Sequence, residues 1–353
     1  MADIEYAKSL VRRISFPQLN QAIGPDAGYR KRGPVYRDLM LHQGVMVNKS
    51  VTPSIHDLVS NVISRLNLTW DHCSFFINNS PDIQATCYTE SLNVTIIQIS
   101  SGLINLLASD ELAFVVGHEL GHFLGDHQRD HGDAMSPETI YLSRLSEIVA
   151  DRVGFLATGN IESCLKAILK TASGLDERHL RFDFPSFLAQ VKHLSENSNV
   201  EEAFSTHPSL LLRCRALLWF TILCPDYRHI SQLSESQIAD MNSRVTRDLD
   251  KYLNRTINQH KCAISFDLKT WVFALSIAER GVFDKKAQGI VAAKLGLKTL
   301  ESLKSFFALH SKDEIVPAIE SKLNTSLELL QRDFPNSSSE IIGAIKNETN
   351  DFH

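Results

Sequence analysis

The pentapeptide His118-Glu119-Leu120-Gly121-His122 (HExxH) brings together side chains that can do hydrolytic chemistry. Residues four apart in a helix lie on one face, so the two imidazoles can converge on a single cation. Glu119 projects beside them, where a carboxylate can take a proton from a water held by that cation. Zinc accepts neutral imidazole nitrogen and keeps an open fourth position in catalytic sites. The spacing therefore predicts a catalytic zinc site with Glu119 as the general base.

The residues around this motif predict a buried helix. Ser109 is a candidate N-cap, and Asp110 and Glu111 place negative charge in the first turn, where the helix dipole favours it. Apolar residues then cover most of the helix surface: Leu112, Val115, Val116, Leu120, Phe123 and Leu124. Burying imidazoles and a carboxylate in such a helix costs free energy unless these groups are paired or bind metal. This favours a metal site over two unrelated core histidines.

A second helix downstream supplies a third ligand. Ser136, followed by Pro and Glu, is typical of a helix start, and the predicted helix runs to about Thr158. Glu147 in this helix can complete a site of two His and one Glu. Asp151, one turn later, can hydrogen-bond the outer nitrogen of a ligating His. The pattern with a third His six residues after the second does not fit, because that position is Gln128. The alternative is that these two carboxylates form an exposed acidic stripe, but the apolar residues beside them argue against that interpretation.

These two segments resemble the gluzincin metallopeptidases that include the bacterial heat-shock protease HtpX and the eukaryotic CAAX prenyl protease. That family pairs an HExxH helix with an ExxxAD-type helix, matched here by 118–122 and 147–151. Residues 101–104 and 110–113 are also similar to the family's lead-in. The resemblance covers roughly residues 60 to 225, and it implies a zincin-type catalytic domain.

The resemblance extends to residues outside the two helices. The segment 205–208 (Ser-Thr-His-Pro) and Arg213 resemble the family's "THP…R" segment, which implies that His207 and Arg213 help to stabilise the developing oxyanion. It also implies that the predicted strand 92–100 lies at the edge of the cleft, where an extended substrate can add as a further strand. Gln84-Ala85 departs from the family's usual Asn-Ala, which bears on how the substrate backbone is held.

Composition limits the other function classes. The chain has 353 residues, 43% of them hydrophobic and 22% charged, which are ordinary globular values. A net charge of −5 without a long basic run argues against a nucleic-acid partner. The six cysteines show no paired spacing, which indicates reduced thiols. Without a signal-peptide pattern or 18 consecutive apolar residues, the sequence predicts a soluble, cytoplasmic protein, whereas the two named relatives are integral membrane proteases.

The predicted fold is mainly α with a small β-sheet (α+β). We expect an N-terminal extension over 1–52, a zinc metallopeptidase domain over 53–225 and a helical accessory domain over 226–353. The last region has amphipathic helical spacing but no grouping of His, Glu or Cys with metal-ligand geometry. It therefore predicts a role in docking or regulation, through which a protein partner would bind.

The predicted function is that of a zinc-dependent endopeptidase. One Zn²⁺ per chain would be held by His118, His122 and Glu147, with Asp151 behind them. Two alternatives stay open: a catalytically weak or inactive gluzincin-fold binding module of a chaperone-like kind, and a metal-dependent hydrolase with a non-peptide substrate. Every expected position is filled, which favours an active enzyme. Further ligand-type residues at 126–127 and 130–133 are expected to form a polar helix end and not a second metal site.

Overall fold

The chain divides into two compact units in the computed structural model, which describes residues 4–22, 33–127, 136–193, 205, 207–225 and 227–349. The first unit holds Met1–His131 and Ile140–Leu253, and the second holds Gly132–Thr139 and Asn254–His353. Most of the described residues lie in helices, and four strands form one mixed sheet, which confirms the predicted α+β class.

The helices of the first unit follow the chain in this order: α1 (Ile4–Arg13), α2 (Pro17–Ala22), α3 (Gly33–Gln43), α4 (Pro53–Arg65), α5 (Ser101–Leu106), α6 (Ser109–Leu124), α7 (Pro137–Thr158), α8 (Ile161–Ser173), α9 (Phe184–Ala189), α10 (Leu210–Leu223) and α11 (Glu235–Tyr252). The first three residues of α7 belong to the second unit. Helix α6 carries the HExxH motif, and it begins at the residue that was expected to cap it. Ala108 occupies the cap, and its N–H donates to Glu111 Oε2 at 2.8 Å.

The sheet corrects one expectation about the cleft. Its strands are β1 (Gly44–Met46), β2 (Cys73–Asn78), β3 (Ala85–Ser91) and β4 (Val94–Ser100), in the order β1-β2-β4-β3. Strand β4 pairs parallel with β2 and antiparallel with β3, so it lies inside the sheet, and its placement at the cleft edge was wrong. Its run of fully buried isoleucines at 96, 97 and 99 is typical of a strand enclosed on both faces. Among the described residues, β3 forms the edge beside α6.

The N-terminal helices pack into the first unit and hold the end of α6. The Lys8 ammonium of α1 is buried, and it donates to Asp126 Oδ1 at 2.8 Å and to the Leu92 carbonyl at 2.8 Å. Arg12 reaches Asp126 Oδ2 at 3.2 Å. Two cations therefore stabilise Asp126, whose φ of 53° lies in the left-handed region that non-glycine residues seldom adopt.

The second unit is a set of helices around its own apolar core. They are α12 (Arg255–Arg280), α13 (Lys285–Leu295), α14 (Leu297–Leu309), α15 (Lys312–Asp333) and α16 (Ser338–Thr349). Gly281 ends α12 in the left-handed conformation, and Asp284 Oδ1 caps α13 by accepting from Ala287 N at 2.8 Å. The helical C-terminal region is thus confirmed, while its accessory role stays a prediction. None of the helices in the described ranges has the length and apolar composition that a bilayer span requires.

Candidate metal centre

Three glycines let α6 and α7 approach closely. A Cβ on Gly121 would lie 2.8 Å from Ala150 Cα, and one on Gly117 would lie 2.5 Å from Ala157 Cβ. On the other helix, a Cβ on Gly154 would lie 2.8 Å from the backbone oxygen of Phe114. Only hydrogen fits at these contacts, so the two helix axes come close enough for side chains of α7 to reach those of α6.

The close approach brings two imidazoles and a carboxylate to one point. His118 Nε2 and His122 Nε2 are 3.2 Å apart, and Glu147 Oε1 lies 3.4 Å from His122 Nε2. Glu147 Oε2 lies 3.5 Å from His118 Nε2. Ligands about 2.0–2.2 Å from a tetrahedral zinc ion are separated by about 3.3–3.5 Å, so these spacings fit a single ion. The three residues can therefore hold a metal ion.

The chemistry of the converging atoms supports the same conclusion. Asp151 Oδ1 lies 3.0 Å from His118 Nδ1, and the carboxylate accepts, so His118 carries its proton on Nδ1. Its Nε2 then presents a lone pair to His122 and to the carboxylate of Glu147. Several acceptors facing one point repel each other unless a proton or a cation lies between them.

Arg213 holds the carboxylate behind this site. Its Nε and Nη2 donate to Asp151 at 2.8 and 2.6 Å, as a planar fork on both carboxylate oxygens. Its Nη1 lies 3.9 Å from Glu147 Oε2. Burial acts to raise the pKa of Asp151, but the charge and hydrogen bonds of Arg213 outweigh it and lower that pKa. Asp151 is therefore an ionised acceptor.

The same competition acts on the ligand candidates without metal. Burial opposes ionisation of Glu147, but hydrogen bonding and charge from His122, with further charge from His118 and Arg213, hold the Glu147 pKa well below its usual range. Burial acts to lower the pKa of His122, yet Glu147 and Glu119 raise it overall. The ionised carboxylate of Glu147 is the form that binds a metal, and a proton on the His122 ring facing it would leave when the metal binds.

The remaining predicted site residues lie around this group. Glu119 is buried on α6 between the two histidines, close enough for its charge to act on His122. His207 Nε2 lies 3.6 Å from Glu147 Oε1, with 66% of its side chain exposed, so it borders the site from the solvent side. Arg213 points at Asp151 and Glu147 and is mostly buried. The structure thus joins six of the predicted site residues in one connected set of contacts of 2.6–3.9 Å: His118, His122, Glu147, Asp151, His207 and Arg213.

Two features were missed by sequence reasoning. The glycines at the α6–α7 contact could have indicated a close helix contact, since glycine inside a helix lowers its stability and is retained where a close approach needs it. The spacing of these glycines does not show which helix packs against them. His127 was expected to belong to a polar helix end, and its contact with a metal ligand was missed: its Nδ1 lies 3.1 Å from His122 Nδ1. Asp126 is paired with Lys8 and Arg12, as expected for a polar helix end, whereas residues 130–133 lie outside the described ranges.

The comparison with protein families supports a peptidase assignment for the segment that carries HExxH. Residues 49–131 match Peptidase family M48. The matched segment includes His118, Glu119 and His122 and ends before Glu147. Metallopeptidase activity on a protein or peptide substrate is what a match to this family suggests.

A curated relative is consistent with the M48 match. The plastoglobule-localized metallopeptidase 48, chloroplastic, of Arabidopsis thaliana is 22% identical over 202 residues, covering 49% of this chain. The chain spans 58% of the length of that relative. No solved structure matches the chain.

Proposed function

We propose that this chain is a zinc-dependent endopeptidase of the M48 type, similar to the gluzincins that include HtpX and the CAAX prenyl protease. The observation that carries the proposal is the convergence of His118 Nε2, His122 Nε2 and the Glu147 carboxylate at spacings of 3.2–3.5 Å. Two imidazoles and one carboxylate form a known catalytic zinc set that leaves a position for water or substrate. The expected stoichiometry is one Zn²⁺ per chain.

The residues of the chain divide the work of hydrolysis. When bound, zinc lowers the pKa of water from 15.7 to about 7 and polarises the scissile carbonyl. Glu119 takes the proton of the attacking water and delivers it to the leaving amine. His207, exposed beside Glu147, donates a hydrogen bond to the oxyanion that develops on the substrate.

Arg213 and Asp151 act behind the ligands. Because the Arg213 guanidinium is bound to Asp151, we propose that it acts by holding that carboxylate and, through it, the ring of His118. Its charge near Glu147 also favours the ionised ligand. In this assignment Arg213 supports catalysis by position, and its contact with the oxyanion is not required.

The edge strand offers a place for the substrate backbone. Strand β3 pairs with β4 on one side, and it lies next to α6. An extended peptide that adds to the outer side of β3 would gain main-chain hydrogen bonds and run past the metal ligands. This arrangement suits a protease that cleaves extended segments of proteins.

The other predictions stay proposals. The helical accessory domain predicted over 226–353 would dock a protein partner or control access, because the residues of the mechanism all precede it. A cytoplasmic location remains a prediction from the sequence. The competing function is a binding module with a retained fold, and it is disfavoured because Glu119 and all three ligand positions are filled.

Labelling of new protein N-termini in a cell extract tests the proposal. The wild type should generate termini that Glu119→Gln does not, since loss of the group that handles the proton costs at least ~10²-fold in rate. Glu162→Gln, a change at an exposed residue on α8, is the matched control and should cleave like the wild type. Equal sets of termini from the wild type and Glu119→Gln would contradict the mechanism. If neither protein generated new termini, and the wild type and Glu119→Gln bound the same proteins of the extract, the binding module would be favoured.

A further inference from the structure

We propose that His127 is a positioning residue for the metal centre, which accepts a hydrogen bond from His122 and fixes the orientation of that ligand. The inference rests on the proposed function, because it assigns a partner to one of the metal ligands. The two Nδ1 atoms are 3.1 Å apart, and the rings meet edge to face at 75°. His127 thereby does for His122 what Asp151 does for His118.

The end of α6 folds so that His127 returns onto its own helix. The N–H of His127 donates to the carbonyl of His122 at 2.9 Å, and that of Asp126 donates to Phe123 at 3.1 Å. These two bonds, with Asp126 at a φ of 53°, form a Schellman motif. In that motif the residue after the left-handed position contacts the third residue from the helix end. That contact is commonly hydrophobic, and here it joins two imidazoles.

The metal site fixes the direction of the hydrogen bond. His122 faces the site with Nε2, so a ligand lone pair on Nε2 requires the proton on Nδ1. The His122 Nδ1–H therefore donates, and His127 Nδ1 accepts with its own proton on Nε2. A hydrogen-bond acceptor for the ring nitrogen that does not bind the metal fixes the tautomer and the ring orientation of a ligating histidine.

Gly125 keeps the space that the His127 ring occupies. A Cβ at Gly125 would lie 2.2 Å from His127 Nε2 and 2.7 Å from Cδ2. The φ of Gly125 is −82°, which any residue can adopt, so the backbone does not require glycine there. Its function is to leave room for the imidazole. Larger residues at 125 would displace His127 from His122.

Zinc affinity of the full chain, measured against a chromophoric chelator, tests the inference. His127→Phe keeps a ring but has no acceptor, and we expect its zinc affinity to fall ~10–100-fold. His127→Gln offers a carbonyl acceptor and should stay within about threefold of the wild type. The absorption bands of the Co²⁺-loaded protein should shift in His127→Phe and stay near wild type in His127→Gln. A purely structural role for His127 would not predict this rescue.

Gly125→Ala provides an independent variant should His127→Phe fold poorly. It should weaken zinc binding in the wild-type background and add nothing in a His127→Ala background, because its effect passes through the His127 ring. His122→Ala separates the two levels of the proposal. If His122→Ala loses zinc while His127→Phe and Gly125→Ala bind it like the wild type, the role of His127 is refuted and the site stands. If His122→Ala retains zinc, the proposed metal site itself fails.

Discussion

Gly121→Ala should damage the metal centre by separating α6 from α7. The added Cβ would lie 2.8 Å from Ala150 Cα, whereas carbon atoms pack at about 3.5–4.0 Å. Relief of this contact requires a shift of about 0.7 Å or more between the two helices. Metal–ligand distances vary by only about 0.2 Å around their ideal values, so after this shift Glu147 and the two histidines can no longer all bind one metal ion at normal distances.

The effects of Gly121→Ala on folding and on zinc binding are measured separately. Overpacking costs about 1–3 kcal/mol, and replacing an interior helical glycine by alanine returns up to about 1 kcal/mol. The net loss in the free energy of unfolding is then roughly 0–3 kcal/mol, measured on the metal-free protein in urea. Zinc affinity should fall at least tenfold, which is about 1.4 kcal/mol.

Gly289→Ala is the matched control on α13. Nothing lies within 4 Å of a Cβ at Gly289, so the same substitution should stabilise its helix by up to about 1 kcal/mol and leave zinc binding unchanged. Chelator competition and urea unfolding compare the two variants. If Gly121→Ala bound zinc like the wild type and gained stability as Gly289→Ala does, the close contact between α6 and α7 would not determine the site.

Two further predictions concern the thiols and the C-terminal region. Burial raises the pKa of Cys73, Cys164 and Cys214 to about 12, so iodoacetamide at pH 8 should alkylate exposed Cys262 in the native protein and spare these three, as measured by mass spectrometry. A chain ending at Leu253, once circular dichroism shows that it folds, should cleave a short peptide within about threefold of the full-length rate, because all proposed active-site residues precede it. Alkylation of Cys73 at the rate of Cys262, or a folded and zinc-loaded truncation without activity, would contradict these expectations.

Local patterns were enough to predict several elements. The acidic first turn and the apolar spacing predicted a buried helix around HExxH, and the structure has it at Ser109–Leu124. The helix expected from Pro137 to about Thr158 has those bounds. The sequence patterns that predict these helix ends lie within a few residues of them, so the prediction does not depend on the tertiary structure.

The features that were missed depend on partners far along the chain. Strand β3 has a mixed sequence, and only its pairing with β4 and its position beside α6 make it the edge of the sheet at this helix. Lysine is usually a surface residue, but Lys8 is buried, and Asp126, 118 residues away, accepts a hydrogen bond from its ammonium group. The distance between α6 and α7 likewise follows from which glycines meet, and spacing within one helix does not determine that.

The zinc content of the purified protein, with and without the Glu147 ligand, tests the central claim most directly. We expect one zinc per wild-type chain and at least a tenfold weaker affinity in Glu147→Ala, with Glu162→Ala as the control that keeps its zinc. Undiminished zinc binding by Glu147→Ala, or a wild-type chain that binds no zinc, would contradict the proposed centre.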